Sequence, residues 1–512
     1  MTHPTIEVER INAQQKKIIR LLAVTTLLVV AVFGPRLYQL GSVLTIDEPL
    51  WVDRGKNFFQ AISTFHFANT FPHTQPGVTT AWLTGIGSIF NSLAAAQAGI
   101  AMASGALVLS ATYFAVLLFG RRYGLLFGLL LALDPFLIAH GRVAHTDSLL
   151  ALSLLNATFT LLVAGYARTS ALRKQARYYV YSGVFCGLGV LTKIFAFAFW
   201  PLAFVLIAIP LFQSKQWRLI LTRYVLWLGI TVLTIYTLWP ALWLDAGGVV
   251  LRMMNEIAPF AEGTREQEVT NQWWFYFRET LVRITPITSI FGIVGLITAI
   301  KNVKERQNQA ILLLLATAII YAVILSLRGE KSDRYILFSM ISFIGVATLG
   351  VQATIGWLRR EWHGREKVLF TVITTICILF LTVQSGRLHP HQLAYYNQFY
   401  PFKQYQKIGW GEGLEEAAIW VNENHPDWPI STFYPRVFEH FYEGKASVQS
   451  TEHEPNTKPS LLILYRSMLE RGPDTPETDI LNNYLFAGVE PLHVVTINNL
   501  PYVWIYERIP GK

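Results

Sequence analysis

The sequence predicts a multi-span α-helical membrane protein with a small α/β unit at its C-terminal end, and three observations lead there. Of 512 residues, 52% are hydrophobic and only 15% charged, with a mean hydropathy of +0.36, whereas a soluble domain carries about 25% charged residues. Apolar segments recur at close to the roughly 20 residues a crossing helix needs. Basic residues gather in alternate connections, as the positive-inside rule expects.

The apolar segments are 18–40, 96–119, 124–141, 148–167, 178–192, 195–212, 222–243, 282–300, 310–327, 335–356 and 368–386, eleven in all. The first contains Gly34-Pro35-Arg36 and lacks a small-residue cleavage site, so it is expected as a retained span rather than a signal peptide. Residues 77–95 are expected as a helix lying at the interface. Basic groups fall at Arg10 to Arg20, Arg121-Arg122, Arg168 to Arg177, Lys215 to Arg223, Lys301 to Arg306 and Arg359 to Lys367. With eleven spans all these lie on one side, which puts the N-terminus in the cytoplasm and the C-terminus outside. The net charge of +9 is then topology, and no nucleic-acid partner is implied. Cys186 and Cys377 sit inside expected spans, which argues against a disulfide framework or a thiolate metal site.

Three blocks follow: 1–95 with one span and a large outer loop, 96–386 with ten spans, and 387–512 as a polar unit outside the membrane. In the last, 412–424 repeats with helical period, with Leu414, Ala417, Ala418 and Val421 on one face. The runs 460–465, 493–497 and 502–506 have strand composition and turn residues at their borders.

Chemistry-bearing residues concentrate in the outer connections. Asp47-Glu48 follows the first span; either Thr45 or Asp47 could cap the helix starting at Pro49. A pair of acids at the mouth of a bundle also suits a base with a neighbour that orients it or holds a positive group. His73 and Gln75 lie in a Pro- and Gly-bounded turn that serves either as rigid punctuation or as a site wall. Arg142, His145 and Asp147 crowd one turn, as an ion pair or as functional charge at bilayer depth. Lys193 is the lone charge in 178–212, and snorkelling to headgroups is its simplest explanation. The turn 328–335 carries Arg328, Lys331 and Arg334 on the side that disfavours cations, which fits a bound phosphate. Trp273 to Phe277 reads as an interfacial aromatic belt or a sugar-stacking surface.

Together these pieces resemble glycosyltransferase family 39, the dolichyl-phosphate-mannose protein mannosyltransferase family, with its prokaryotic relatives and the lipid A aminoarabinose transferase. The matching motifs are Ile46-Asp47-Glu48-Pro49, Gln75-Pro76-Gly77, Arg142 to Asp147, Lys331 to Tyr335, His389-Pro390-His391 to Asn397, and Gly409-Trp410-Gly411-Glu412-Gly413-Leu414-Glu415. The resemblance implies a C-type glycosyltransferase fold, a lipid-linked sugar phosphate as donor, Asp47 and Glu48 as the acidic pair with Asp47 the base, and Lys331 and Arg334 on the donor phosphate. One departure is Gln75, where the family often has His.

The expected activity is transfer of one sugar from a polyprenyl phosphate to a hydroxyl of a protein, glycolipid or glycan at the outer face of the cell membrane, with inversion. Arg142 and Lys193 join the phosphate-binding set in this reading. No cofactor is required, although Asp47 with Glu48 could hold a divalent ion. Two other functions remain open on the residues alone: a lipid or solute transporter or flippase, whose charges would line a path through the bundle, and a sensor whose 387–512 unit binds an envelope ligand.

Overall fold

The computed structural model describes residues 4–167, 171, 176–212, 216–261, 274–327, 331–362, 364–400, 409–451, 459–470 and 475–509. Its helices are α1 (Pro4–Leu37), α2 (Glu48–Ser63), α3 (Val78–Ser88), α4 (Leu93–Phe119), α5 (Arg121–Leu133), α6 (Pro135–His140), α7 (Asp147–Tyr166), α8 (Arg177–Thr192), α9 (Phe199–Phe212), α10 (Trp217–Leu238), α11 (Ala241–Ala261), α12 (Phe275–Arg283), α13 (Pro286–Lys301), α14 (Arg306–Ser326), α15 (Leu337–Glu361) and α16 (Glu366–Arg387). Every apolar segment of the sequence falls on a helix. Among the described residues seven helices are long and apolar enough to cross a membrane, and α12 with α13, bent by 115°, makes an eighth if taken as one span. The remaining segments fall on α1, α5 and α8, which are shorter in their apolar parts. Between the apolar segments 222–243 and 282–300 the described residues form α11 and most of α12.

Helix α7 is the axis of the bundle. Its residues are apolar all round, as a fully enclosed helix requires, and α4, α8, α9, α14 and α15 pack around it. The one amide inside it, Asn156, donates its N–H groups to the carbonyls of Leu107 and Leu152. Outer helices face the other way. Ile290, Ile293, Ile297 and Ile300 of α13, and Val372, Ile376, Leu379 and Val383 of α16, form exposed stripes at helical spacing, the faces a lipid environment would cover. Helices α13 and α15 cross at Gly295 and Gly350, where a Cβ on either residue would overlap a carbonyl oxygen of the partner helix. Small residues let backbones approach closely where lipid leaves no hydrophobic drive for association.

The two ends of the bundle differ. At one, Arg122 and Arg359 both pair with Glu366 at 3.1 and 3.3 Å, and Arg223 stacks on Tyr179. At the other, the chain after α1, the turns before α7 and α15, and the stretch after α16 converge beneath the C-terminal unit. That unit is a five-stranded sheet of order β2-β1-β3-β5-β4, with β1 (Ile430–Thr432), β2 (Val448–Ser450), β3 (Leu461–Tyr465), β4 (His493–Ile497) and β5 (Leu500–Glu507). The first three pair in parallel, and β5 runs antiparallel to β3 and β4. Asn498 and Asn499, both at positive φ, close the β4–β5 hairpin, the turn geometry that matches strand twist. Helix α17 (Leu414–Asn424) buries the face that its sequence period predicts. Leu44 from the connection between α1 and α2 is part of this second core, so the sheet unit seats on the loop that carries the acidic pair.

Replacing Gly350 with Leu should wedge α13 from α15 and lower the melting temperature in detergent, the overpacking costing about 1–3 kcal/mol. Gly229→Ala, with nothing within 4 Å of its Cβ position, should melt like the parent chain.

Candidate active site

A cavity of about 250 Å³ opens at the end of the bundle under the sheet unit, lined by Asp47, His140, Arg283, Lys331, Arg334, Trp410 and Glu412 among others. Asp47 reaches it because the chain turns sharply between α1 and α2. Although Asp47 occupies the N-cap position of α2, its side chain makes no capping bond. Its Oδ2 instead lies 3.1 Å from Arg334 Nη1, accepts the Trp410 indole N–H at 3.1 Å, and stands 3.6 Å from His145 Nε2. Burial alone would raise this carboxyl, but the His145 hydrogen bond, the Arg334 charge and the Trp410 donor hold it well below the usual carboxylate range. Asp47 is an ionised acid facing a cation.

A second tier stands behind it. His145 Nδ1 is 2.8 Å from Asp147 Oδ2, and Asp147 Oδ1 accepts from Lys193 Nζ at 2.8 Å. Arg334 Nε lies 3.6 Å from the same Asp147, so its guanidinium spans both acids. Asp147 opens α7, where the helix dipole favours an anion. Lys193 does not snorkel: it is 2% exposed, paired with Asp147, and sits over the Tyr335 ring at 4.1 Å. Burial among apolar helices leaves an ammonium no stable option but a carboxylate partner.

The structure separates the acidic pair. Glu48 is fully enclosed; its Oε2 accepts from the Thr45 N–H and its Oε1 from the Gln97 amide and the Ala144 N–H, at 2.7, 2.9 and 2.6 Å. Among the described residues it pairs with no positive side chain and shares no partner with Asp47, which corrects the expectation that the two acids act as a joint pair. Glu48 instead stitches the acidic loop to α4 and to the turn before α7. Burial pushes its carboxyl upward against those donors.

Arg142 is likewise corrected. It forms no pair with Asp147 and does not line the cavity; its guanidinium donates to the carbonyls of Tyr38 and Gln39 and touches His389 at 3.0 Å, securing the end of α1. His73 Nδ1 accepts the Gln75 N–H at 3.1 Å within its own turn, and neither residue lines the cavity. That turn acts at one remove, through Trp51, whose ring contacts both His73 and His145 edge-on. Lys331 does line the cavity, half-buried, while Arg328 lies outside the described residues. Of the aromatic run before α12, Phe275 and Tyr276 are core, and Trp274 and Phe277 are exposed; Trp273 lies outside the described residues.

Other wall residues come from segments whose role spacing does not reveal. Arg283 ends α12 and pairs with Asp333 at 2.6 Å, fixing the turn that bears Lys331 and Arg334. Its signal was a lone charge opening an apolar run. His140 stands against Phe136 with neither ring nitrogen hydrogen-bonded to the described protein atoms. Trp410 arrives from the glycine-rich loop: Arg334 lies over its ring at 4.3 Å and its carbonyl accepts from the Ile46 N–H at 3.0 Å. Gly411, at φ +120°, packs so close to Leu44 that a Cβ would strike the Leu44 carbonyl. Tyr465 of β3 accepts the Gly411 N–H at 2.7 Å and donates to the Glu412 carbonyl at 3.2 Å. The sheet unit thereby sets the position of Trp410 against the acid.

Residues 88–246 match the family described as dolichyl-phosphate-mannose-protein mannosyltransferase, a stretch that contains Arg142, His145, Asp147 and Lys193 but neither Asp47 nor Arg334. No curated protein matches the chain. The fold is shared with ArnT from Cupriavidus metallidurans. Bound to undecaprenyl phosphate, that protein is 14% identical over 95% of this chain and 97% of its own, with a TM-score of 0.52. In the apo state it is 15% identical over 96% and 98%, with a TM-score of 0.51. The archaeal oligosaccharyltransferase AglB from Archaeoglobus fulgidus, in complex with an inhibitory peptide and a dolichol-phosphate, is 13% identical over 83% of this chain and 64% of its own, at a TM-score of 0.47. The family match over residues 88–246 agrees with the resemblance to glycosyltransferase family 39, the fold is that of ArnT, and the chain is a largely helical, multi-pass membrane protein.

Lys193→Met should lower stability by on the order of 3 kcal/mol, because it strips the buried Asp147 of its closest cation. Adding Asp147→Asn should recover part of that loss. A double-mutant cycle followed by thermal melting checks both, and a single Lys193 variant as stable as the parent chain would contradict the pairing.

Proposed function

We propose that this chain transfers a single sugar from a polyprenyl phosphate to an acceptor hydroxyl at the outer face of the cell membrane, inverting the anomeric carbon. The observation that carries the reading is the cavity where Asp47 faces Arg334 and Lys331, an acid and two cations from distant parts of the chain. ArnT, whose fold this chain shares, binds undecaprenyl phosphate, which supports a lipid phosphate as the anion for that cavity. The basic residues collected at the opposite end of the bundle support a cytoplasmic N-terminus, eleven crossings and an extracytoplasmic sheet unit. In that arrangement residues 1–95 supply the base, 96–386 the bundle and 387–512 the cover.

Arg334 neutralises Asp47. A donor phosphate competes for the guanidinium, because a fork of N–H donors matches phosphate oxygens as well as carboxylate. Once Arg334 turns to the phosphate, Asp47 loses its strongest counter-charge and becomes more basic as the acceptor arrives. The acceptor oxygen then attacks the anomeric carbon, its proton passes to Asp47, and the bond from that carbon to the phosphate oxygen breaks. The departing lipid phosphate gains negative charge, which Arg334 and Lys331 stabilise. His145, 3.6 Å from Asp47, is placed to pass the proton onward.

Asp47→Asn, purified and supplied with radiolabelled polyprenyl-phosphate sugar, should lose about 10²–10⁴-fold in rate while still binding donor. Full activity would remove Asp47 from the reaction. The pH dependence of kcat/KM reports the free enzyme. Asp47's value lies below the ordinary carboxylate value of about 3.9, so the base is ionised at every pH above that and adds no acid limb between about pH 5 and 8. Arg334→Met removes the facing charge and should move the acid-side loss upward in pH.

A further inference from the structure

Glu412 lines the cavity on one side and, on the other, a small pocket that also contains His391. There the stretch after α16 meets the first turn of α17. His391 Nε2 stands 3.0 Å from Glu415 Oε1 and 3.3 Å from Glu416 Oε1, and the three ligand atoms lie within 4.8 Å of one another. Glu415 is only 6% exposed, and apart from its 3.0 Å contact with the imidazole its Oε1 has no hydrogen bond to the described protein atoms. Its Oε2 accepts the Gly413 N–H at 3.1 Å, which fixes the direction of the carboxylate. Ligands at about 2.0–2.2 Å around a tetrahedral ion stand roughly 3.3–3.6 Å apart; the His391–Glu416 separation falls at that spacing, and the His391–Glu415 separation is a few tenths of an ångström shorter.

From this cluster we infer that His391, Glu415 and Glu416 form a divalent-metal site of the kind that suits zinc, with one imidazole nitrogen, two carboxylate oxygens and an open position for water. The local charge agrees. Three carboxylates, Glu412, Glu415 and Glu416, face the single imidazole, with His493 beyond Glu416. Gly413 supplies the outer contact that such sites use to orient a ligand. The exposed Glu416 gives an ion a way in.

The ion would join 389–397 to α17 and so fasten the membrane bundle to the sheet unit just behind the cavity, where Leu393 and Glu412 are wall residues. This role does not depend on the transfer chemistry. The plain rival is a proton in place of the metal, an imidazolium clasped by two carboxylates.

Full-length protein, stripped with chelator, is titrated with zinc and with cobalt(II), and its metal content and melting temperature are measured. We expect one zinc per chain, a higher melting temperature with zinc, and the visible absorption of tetrahedral cobalt. Loss of an outer-shell partner costs about 10–100-fold in affinity, so Glu416→Gln and His391→Ala should weaken zinc binding by about 100-fold or more. Glu416 is half exposed, so its variant should fold even if the His391 variant does not. Zinc held at unchanged affinity by Glu416→Gln, or no stoichiometric metal on the parent chain, would overturn the site; the latter leaves the proton clasp.

Discussion

Charge in an apolar bundle persists only when it is paired, and the contact between Asp47 and Arg334 is the pairing on which the rest of this end of the molecule depends. Each ionised side chain at membrane depth costs about 2.5–3.5 kcal/mol on insertion scales. The chain meets that cost with a continuous series, Lys193 to Asp147 to His145 to Asp47, with Arg334 bridging both acids. The series ties the first outer connection, the N-terminus of the central helix, the end of α8 and the turn before α15 to one another. Without Arg334 the two acids would face each other across His145 with only Lys193 to balance them.

The C-terminal unit completes this arrangement from above. Tyr465 in the sheet positions Gly411, Gly411 fits against Leu44, and Trp410 delivers an indole N–H to Asp47 and a ring face to Arg334. The sheet is therefore a mould for one loop as much as a separate unit. Asp47 and Arg334 are thereby held against each other at 3.1 Å.

Much of this was legible in the sequence, in unequal parts. The helices follow from apolar runs, and the exposed stripes on α13 and α16 repeat at a spacing visible in the letters. The strands β3, β4 and β5 lie where apolar, aromatic and β-branched runs meet turn residues; β1 and β2, at three residues each, are too short to show a period. Asp47 and the 331–334 turn stood out as charge in the wrong place for packing. What periodicity could not show was partnership. Lys193 and Asp147 are 46 residues apart and Trp410 and Asp47 are 363 apart, and only the tertiary fold decides those contacts. The same limit made Asp47 and Glu48 look like a pair: adjacent letters at a helix start point about a quarter-turn apart, so one faces the cavity and the other the core. Arg142 shares its turn with Asp147 but finds the free carbonyls at the end of α1 instead.

The most direct measurement is a structure of the full chain with polyprenyl phosphate bound. The account predicts the phosphate in the cavity between Lys331 and Arg334, with the guanidinium turned away from Asp47 and the lipid tail leaving toward the bundle surface. Phosphate bound instead at the opposite end, in the cleft of about 490 Å³ lined by Tyr166, Lys304 and Arg306, with the Asp47–Arg334 pair intact, would contradict it.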